Sequence, residues 1–411
     1  MGVDAQTQPR SDWPWWLAAL LGVAVMSWLG LAGFAWNDYD TEASAAFARL
    51  IDGDVAGFLG LLPAYGGSAV LRAPFAAAVA ALGGGELAVY RAVSIPCLAA
   101  VALLALVLVR RMGERGRSTA VRALVLGLCV VNPVTLRALE IGHPEELLCA
   151  ALAIGAVLAA ADRRTIAAAV LLGLAIATKA WAVLAIGPVL LALPARRMLA
   201  LAIAGTVTAV VLAPIALAGS PATLVTGAST TGSQIFQPWQ LFWMLGDTGS
   251  VVIGANGLPK PDGWRVPPAW LSPLTHPLIA FLVIPLSLLW ARVRGSAPRI
   301  EGEQLLVLLA LLLLLRCVLD PWNHVYYGLP FVLALLAWEA LQRPERPPLL
   351  ALAATVAIWV TFQTLPALLG PDAQHLAFLA WSLPLVAWLA RESFAPAARL
   401  RTRHAVRSAY A

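Results

Sequence analysis

The sequence is poor in charge. Of its 411 residues only 12% are Asp, Glu, Lys or Arg, whereas 60% are hydrophobic. An ordinary soluble domain cannot hide that much apolar surface, so lipid must solvate most of the chain. The short-period alternation of polar and apolar residues that marks an outer-membrane barrel is also missing. Cysteine is scarce. The four present, Cys97, Cys129, Cys149 and Cys317, lie in or beside apolar runs, with neither metal-ligand spacing nor the pattern of a disulfide framework. No tandem repeat relates one half to the other. The first apolar run, Trp13 to Trp36, has no small-x-small cleavage site and is too long for a signal-peptide core. It reads as a retained span.

Long apolar runs fill the rest, and mean hydropathy is +0.80. Spans are expected at about 13–36, 88–109, 118–135, 146–161, 165–178, 180–194, 198–219, 273–291, 303–319, 325–341, 348–369 and 375–390. The expected fold is an all-α polytopic membrane protein of about 12 transmembrane helices, some short or re-entrant. The pair at 165–194 is short for two crossings and is expected to bend at Thr178-Lys179. A single membrane domain would cover 1–391, with outer loops at about 37–87, 136–145, 220–272 and 320–324. Residues 392–411 would form a basic cytoplasmic tail against the anionic inner leaflet.

The net charge of +6 does not point to nucleic acid, because the basic residues cluster in short turns between spans. Examples are Arg110, Arg111, Arg115, Arg117 and Arg122, then Arg163 and Arg164, then Arg196 and Arg197. By the positive-inside rule both termini lie in the cytoplasm of a plasma (inner) membrane protein, and the loop at Trp36–Glu42 lies outside. In outer loop one, Phe47, Leu50, Ile51 and Val55 alternate with Arg49, Asp52 and Asp54, as in an amphipathic helix lying flat. Ser68–Leu82 is apolar but short and carries Arg72, so it reads as either re-entrant or crossing.

The outer loops hold the polar constellations. Trp36-Asn-Asp-Tyr-Asp-Thr-Glu42 brings Asp38, Asp40 and Glu42 to the end of the first span. Arg137 to Glu146 contains His143 and Glu145, Gln234 to Gln240 contains Gln237 and Trp239, and Arg316 to Tyr327 contains Asp320, Trp322, His324 and Tyr326. Blander readings exist for each. Asp38 and Asp40 could cap the following helix, and Pro144 with Glu145 and Glu146 suits a helix first turn. His143 alone reads as a boundary histidine. The Arg316–Tyr327 stretch resists such a reading, because so many polar groups between two apolar runs must pair or line a wet cavity. Lys179 is one of two lysines, the other being Lys260, in a chain that otherwise chooses arginine. Either it snorkels or it makes a specific anion contact.

A carboxylate and cations at the outer bilayer surface suit glycosyl transfer from a lipid-linked sugar. The acceptor hydroxyl needs a base, and the leaving phosphate needs Arg, Lys or His. Trp36, Trp181, Trp239 and Trp322 would supply stacking faces for sugar.

The first-loop acid after span one, the short hairpin with Thr178-Lys-Ala-Trp181 and the stretch Asp320-Pro-Trp-Asn-His-Val-Tyr-Tyr-Gly-Leu-Pro330 resemble the GT-C superfamily. They are most similar to glycosyltransferase family 87, the actinobacterial mannosyltransferase-like enzymes. The resemblance implies a GT-C-like fold and an inverting transfer of a mannose-like sugar. The donor would be a polyprenyl-phosphate sugar and the acceptor an envelope glycolipid or glycan. It implies a first-loop aspartate as base, here Asp40 with Asp38 as the other candidate, and His324 at the donor phosphate. The residues themselves add Arg316 and Lys179 to that phosphate site. They also add Glu42, His143, Glu145, Gln237, Trp239, Asp320, Trp322 and Tyr326 to the substrate pocket. Asp40 departs from the family pattern, because Thr-Glu-Ala-Ser-Ala-Ala-Phe follows it and no aromatic stands four residues on. Asp38-Tyr-Asp40 also matches a divalent-cation motif. A monophosphate leaving group requires no metal, so no cofactor is required, and a divalent cation at this motif stays open. Two other classes stay open: a multi-span lipid or small-solute transporter or flippase, and a non-catalytic subunit of an envelope-assembly complex.

Overall fold

A computed structural model describes residues 12–32, 38–63, 66–219, 235–249, 252, 259–294, 302–343 and 346–395. Among them the fold is helical, and the only β-type contact is an isolated bridge between Asp247 and Val266. Nine of the described helices are long and apolar enough to cross a membrane. Three shorter apolar helices, Gly67–Ala81, Thr165–Thr178 and Ala180–Ala192, join them. The chain is therefore a multi-pass helical membrane protein by the length and composition of its helices.

The expected spans and the helices coincide closely. Helices α1 (Trp13–Ala32), α5 (Glu86–Glu114), α8 (Glu145–Ala161), α9 (Thr165–Thr178) and α11 (Arg197–Ala218) all fall on expected runs. The bend at Lys179 is present as well. There α9 ends, and a tight helical turn, Ala180–Ala185, leads into α10 (Ile186–Ala192). Two expectations change. The run expected over 118–135 is two helices, α6 (Thr119–Val130) and α7 (Pro133–Ile141), so positions 136–141 are helical rather than loop. Asn132 makes the break. Its side chain accepts from Val134 N–H at 2.8 Å while Pro133 occupies the first helical position.

Outer loop one also differs from a single flat helix. A wide π-type turn, Asp40–Ser44, runs into α2 (Ala45–Ile51), then α3 (Val55–Leu61) and α4 (Gly67–Ala81). Phe47 is buried as expected, but Ile51 and Val55 are exposed, because a turn at Gly53 splits the amphipathic run. Tyr39, Phe47, Phe58 and Tyr90 form a small aromatic core beneath this loop, with the rings of Tyr39 and Tyr90 4.5 Å apart. Tyr90 in turn donates its hydroxyl to the Leu139 carbonyl of α7. Asp38 is therefore carried on a packed base rather than a loose strap.

At the centre, α15 (Gly328–Gln342) is buried along its whole length, and α14 (Leu305–Leu319) and α8 are nearly so. A helix apolar all round belongs in the middle of a bundle. The periphery is opposite in character. Leu17, Leu20 and Trp28 on α1, Val210 and Leu217 on α11, and Phe281 and Leu288 between Leu271 and Arg294 all stand exposed, as lipid-facing side chains must. Long arms end in polar clusters at both ends of the bundle. Trp36, Asn37, the stretches 220–234, 250–251 and 253–258 of the loop expected over 220–272, and the tail beyond 395 lie outside the described residues.

Candidate functional site

One end of the bundle gathers residues far apart in sequence. At the end of α7, Gly142 takes φ 103°, a left-handed conformation that glycine adopts without penalty. That turn sends the His143 N–H to the Ala138 carbonyl at 2.8 Å. The imidazole then lies between two carboxylates. Its Nε2 is 3.0 Å from Asp38 Oδ2 and its Nδ1 is 2.9 Å from Glu145 Oε1. Serving both requires an N–H on each ring nitrogen, and the pKa agrees. Burial alone would lower it, but hydrogen bonds to Asp38 and Glu145 raise it to about 9. For Asp38 burial pushes upward, and the His143 hydrogen bond and charge overcome it, so the carboxyl titrates below its usual range. Asp38 is ionised at neutral pH.

Glu145 and Glu146 begin α8, where the helix dipole favours them. Both are buried, so cations must compensate them. Lys179 Nζ lies 2.9 Å from Glu145 Oε1 and 3.9 Å from Glu146 Oε1. Arg72 Nη2 lies 3.5 Å from Glu145 Oε2, and Arg316 Nη2 lies 3.8 Å from Glu146 Oε1. The indole of Trp181 donates to Glu146 Oε2 at 2.9 Å, and Arg316 stacks over the rings of Trp181 and Tyr327. Arg72 arrives because α4 docks tightly on α9. A Cβ on Gly67 would stand 2.2 Å from the Ala177 carbonyl, so only glycine permits that approach. With His143 protonated, four cations face three carboxylates. One Nη nitrogen of Arg72 and one of Arg316 remain buried with no acceptor.

A second layer covers this cluster. The Tyr326 ring lies 4.1 Å from His143 and 5.2 Å from His324. Burial lowers the His324 pKa to about 4 against the opposing pull of the Asp38 charge, so its imidazole is neutral at pH 7. Its Nδ1 is buried without a partner. The segment around Trp239 packs on the 318–324 turn. Gln237 N–H donates to the Pro321 carbonyl at 3.0 Å, and Asn323 Nδ2 donates to the Trp239 carbonyl at 2.6 Å. Asp320 Oδ1 accepts from Trp322 N–H at 2.9 Å and meets His276 Nε2 at 3.2 Å.

Of the residues singled out from sequence, Asp38, His143, Glu145, Lys179, Arg316, Tyr326 and His324 form one contiguous cluster. Glu42 lies in the π-type turn, near enough for its charge to act on Lys179. Gln237, Trp239, Asp320 and Trp322 form the adjoining layer, with Trp239 and Asp320 buried. Asp40 begins the π-type turn next to buried Tyr39. Sequence reading did not place Arg72, Glu146 or His276 in the site. Arg72 carried a visible signal, a charge in an apolar run. His276 sat inside an expected span with only its flanking prolines, Pro273 and Pro277, to mark it. Among the described residues no group of three or more His, Cys, Asp or Glu is arranged to hold a metal ion.

A charged cluster set into one end of a multi-pass helical bundle defines the class: a helical membrane protein with a buried ionic cluster at one end of its bundle. No protein-family model and no curated protein matches the chain.

Proposed function

We propose that this chain is an integral membrane glycosyltransferase that moves a sugar from a polyprenyl-phosphate donor to a glycolipid or glycan at the outer face of the plasma membrane. The observation that carries the reading is the half-open Asp38 carboxylate, 39% exposed, gripped by a buried His143 that Glu145 anchors from behind. An inverting transfer needs one ionised carboxylate held in a fixed direction to take the acceptor proton. Asp38 meets that need better than Asp40, because His143 fixes its orientation. The unspent guanidinium nitrogens of Arg72 and Arg316 supply donors for an anion such as the leaving phosphate. His324, being neutral, would contribute a hydrogen bond rather than a charge. Both termini then lie in the cytoplasm, the end carrying Asp38 faces outward, and a mannose-like sugar is the expected cargo.

The test is transfer by the purified protein from a panel of polyprenyl-phosphate sugars to an envelope glycolipid extract. Product with at least one donor, lost in Asp38→Asn while donor binding persists, is the expected outcome. No transfer from any donor overturns the reading. Transfer retained in Asp38→Asn but lost in Asp40→Asn moves the base to Asp40.

A further inference from the structure

The end of the bundle opposite the site presents an unusual pair of turns. Helices α8 and α9 are joined by Asp162-Arg163-Arg164, and α10 and α11 by residues 193–196, with Arg196 followed by Arg197 at the first helical position. Lys179 and Glu145 meet at the far ends of α9 and α8, and α9 packs against both α8 and α11. Both turns therefore lie on one face, roughly 25 Å from the site by the rise of the 17-residue α8. Arg163 has φ 62° and Arg196 has φ 58°, and no other non-glycine residue among those described has positive φ. Glycine or asparagine is the usual occupant of that conformation, and an arginine there is disfavoured. Charge adds to the cost, since Arg164 and Arg196 stand at helix N-caps, make no side-chain capping bond and oppose the dipole.

No local acid compensates them. Arg163, Arg164 and Arg196 are exposed and make no ion pair or side-chain hydrogen bond. Most of the acids described at this end are already committed, the exposed Asp12 ahead of α1 being the exception. Asp162 takes Arg111 at 2.6 Å, and Glu303 takes Arg111 and Arg115 at 2.8 and 2.7 Å. Glu114 takes Arg110 and Glu392 takes Arg343. Glu339 caps the backbone at Leu350 and Ala351. Arginine is thus retained at two positions where folding favours other residues, with its charge left uncompensated at a membrane boundary.

We propose that the paired turns at Arg163–Arg164 and Arg196–Arg197 bind the headgroups of anionic phospholipids in the adjacent leaflet. The charge fits a phosphate-bearing surface, and guanidinium groups engage phosphate oxygens two at a time. A bound headgroup offsets the local cost of the turns, so the lipid-free protein is less stable than its composition allows. This inference does not depend on the glycosyl-transfer reading.

The experiment measures thermal unfolding of the full chain in neutral detergent, with added phosphatidylglycerol or phosphatidylcholine. Wild type should gain midpoint temperature with phosphatidylglycerol only, by an increment that shrinks as salt rises. The double variant Arg163→Gly with Arg196→Gly should unfold higher than wild type without lipid, by on the order of 1–3 °C. It should also lose more than half of the phosphatidylglycerol increment. Arg163→Lys with Arg196→Lys should keep most of it. Equal response to both lipids, or an undiminished increment in the glycine variant, overturns the proposal. So does a glycine variant less stable than wild type without lipid, which would make the arginines structural. Reproduction of the increment by inorganic phosphate at matched concentration would replace the lipid surface with a free-anion site.

Discussion

His143 is the residue on which the site turns, because its side chain bridges the half-open carboxylate of Asp38 and the buried carboxylate of Glu145. Its raised pKa makes that position testable. A group whose folded pKa rises from 6.5 to about 9 stabilises the fold fully below 6.5, and that stability is lost as pH climbs through about 9. His324 runs the other way. With its pKa lowered from 6.5 to about 4, its contribution is present above 6.5 and lost as pH falls through about 4. Unfolding midpoints measured against pH should therefore peak near 6.5. His143→Ala should flatten the alkaline limb and His324→Ala the acid limb. For activity, Asp38→Asn should cost about 10²- to 10⁴-fold, the usual worth of a positioned base. His143→Ala should cost on the order of 10²-fold through misplacement of Asp38. It should also remove the alkaline fall in rate near pH 9, a change that a merely structural loss would not produce. Much of this was legible in the sequence as composition and little of it as geometry. Asp38 reads as a candidate base and His143 as a pocket residue, but nothing in the sequence announces that two residues 105 positions apart touch.

At the scale of elements, hydropathy located the helices and polar punctuation located their breaks. Thr165–Thr178 falls where the apolar run predicts it, and the bend falls at Lys179, because a lysine among apolar residues has to find a carboxylate. The missed element was α7, which reads as loop because Arg137 and Glu140 interrupt its apolar pattern. They pair with each other at 2.8 Å on its outer side, while Val134, Ala138 and Leu139 bury the inner one. Helix α7 aims the site through Gly142. Alanine there must adopt φ near 103°, which costs about 1–2 kcal/mol, or else swing His143 away from Asp38. Gly142→Ala should accordingly lower both the unfolding midpoint and the turnover rate. Gly205→Ala, where no neighbour stands within 4 Å, should change neither appreciably. Equal behaviour of the two variants would remove α7's turn from any role in positioning His143.

For the whole molecule, the two ends differ in the way their charge is held. The end carrying Asp38 buries its ions in a mutually compensated cluster with guanidinium donors left over. The opposite end pairs Asp162, Glu114, Glu303 and Glu392 with arginines and leaves further arginines exposed. That asymmetry is what the positive-inside rule reads, and the proposed orientation, with the arginine end in the cytoplasm, rests on it. Impermeant maleimide labelling of intact cells checks the placement directly. The four native cysteines are buried and should stay unlabelled. A cysteine at exposed Asp52, at the C-terminal end of α2 in the same loop as Asp38, should label from outside without permeabilisation, and one at exposed Arg163 only after it. The reverse pattern would put Asp38 in the cytoplasm, where nucleotide sugars are available. The case for a lipid-linked donor would then fail even if Asp38 still proved to be the base. The residue assignment and the donor assignment are therefore separable, because the first rests on the His143 contact and the second on which face of the bilayer that contact occupies.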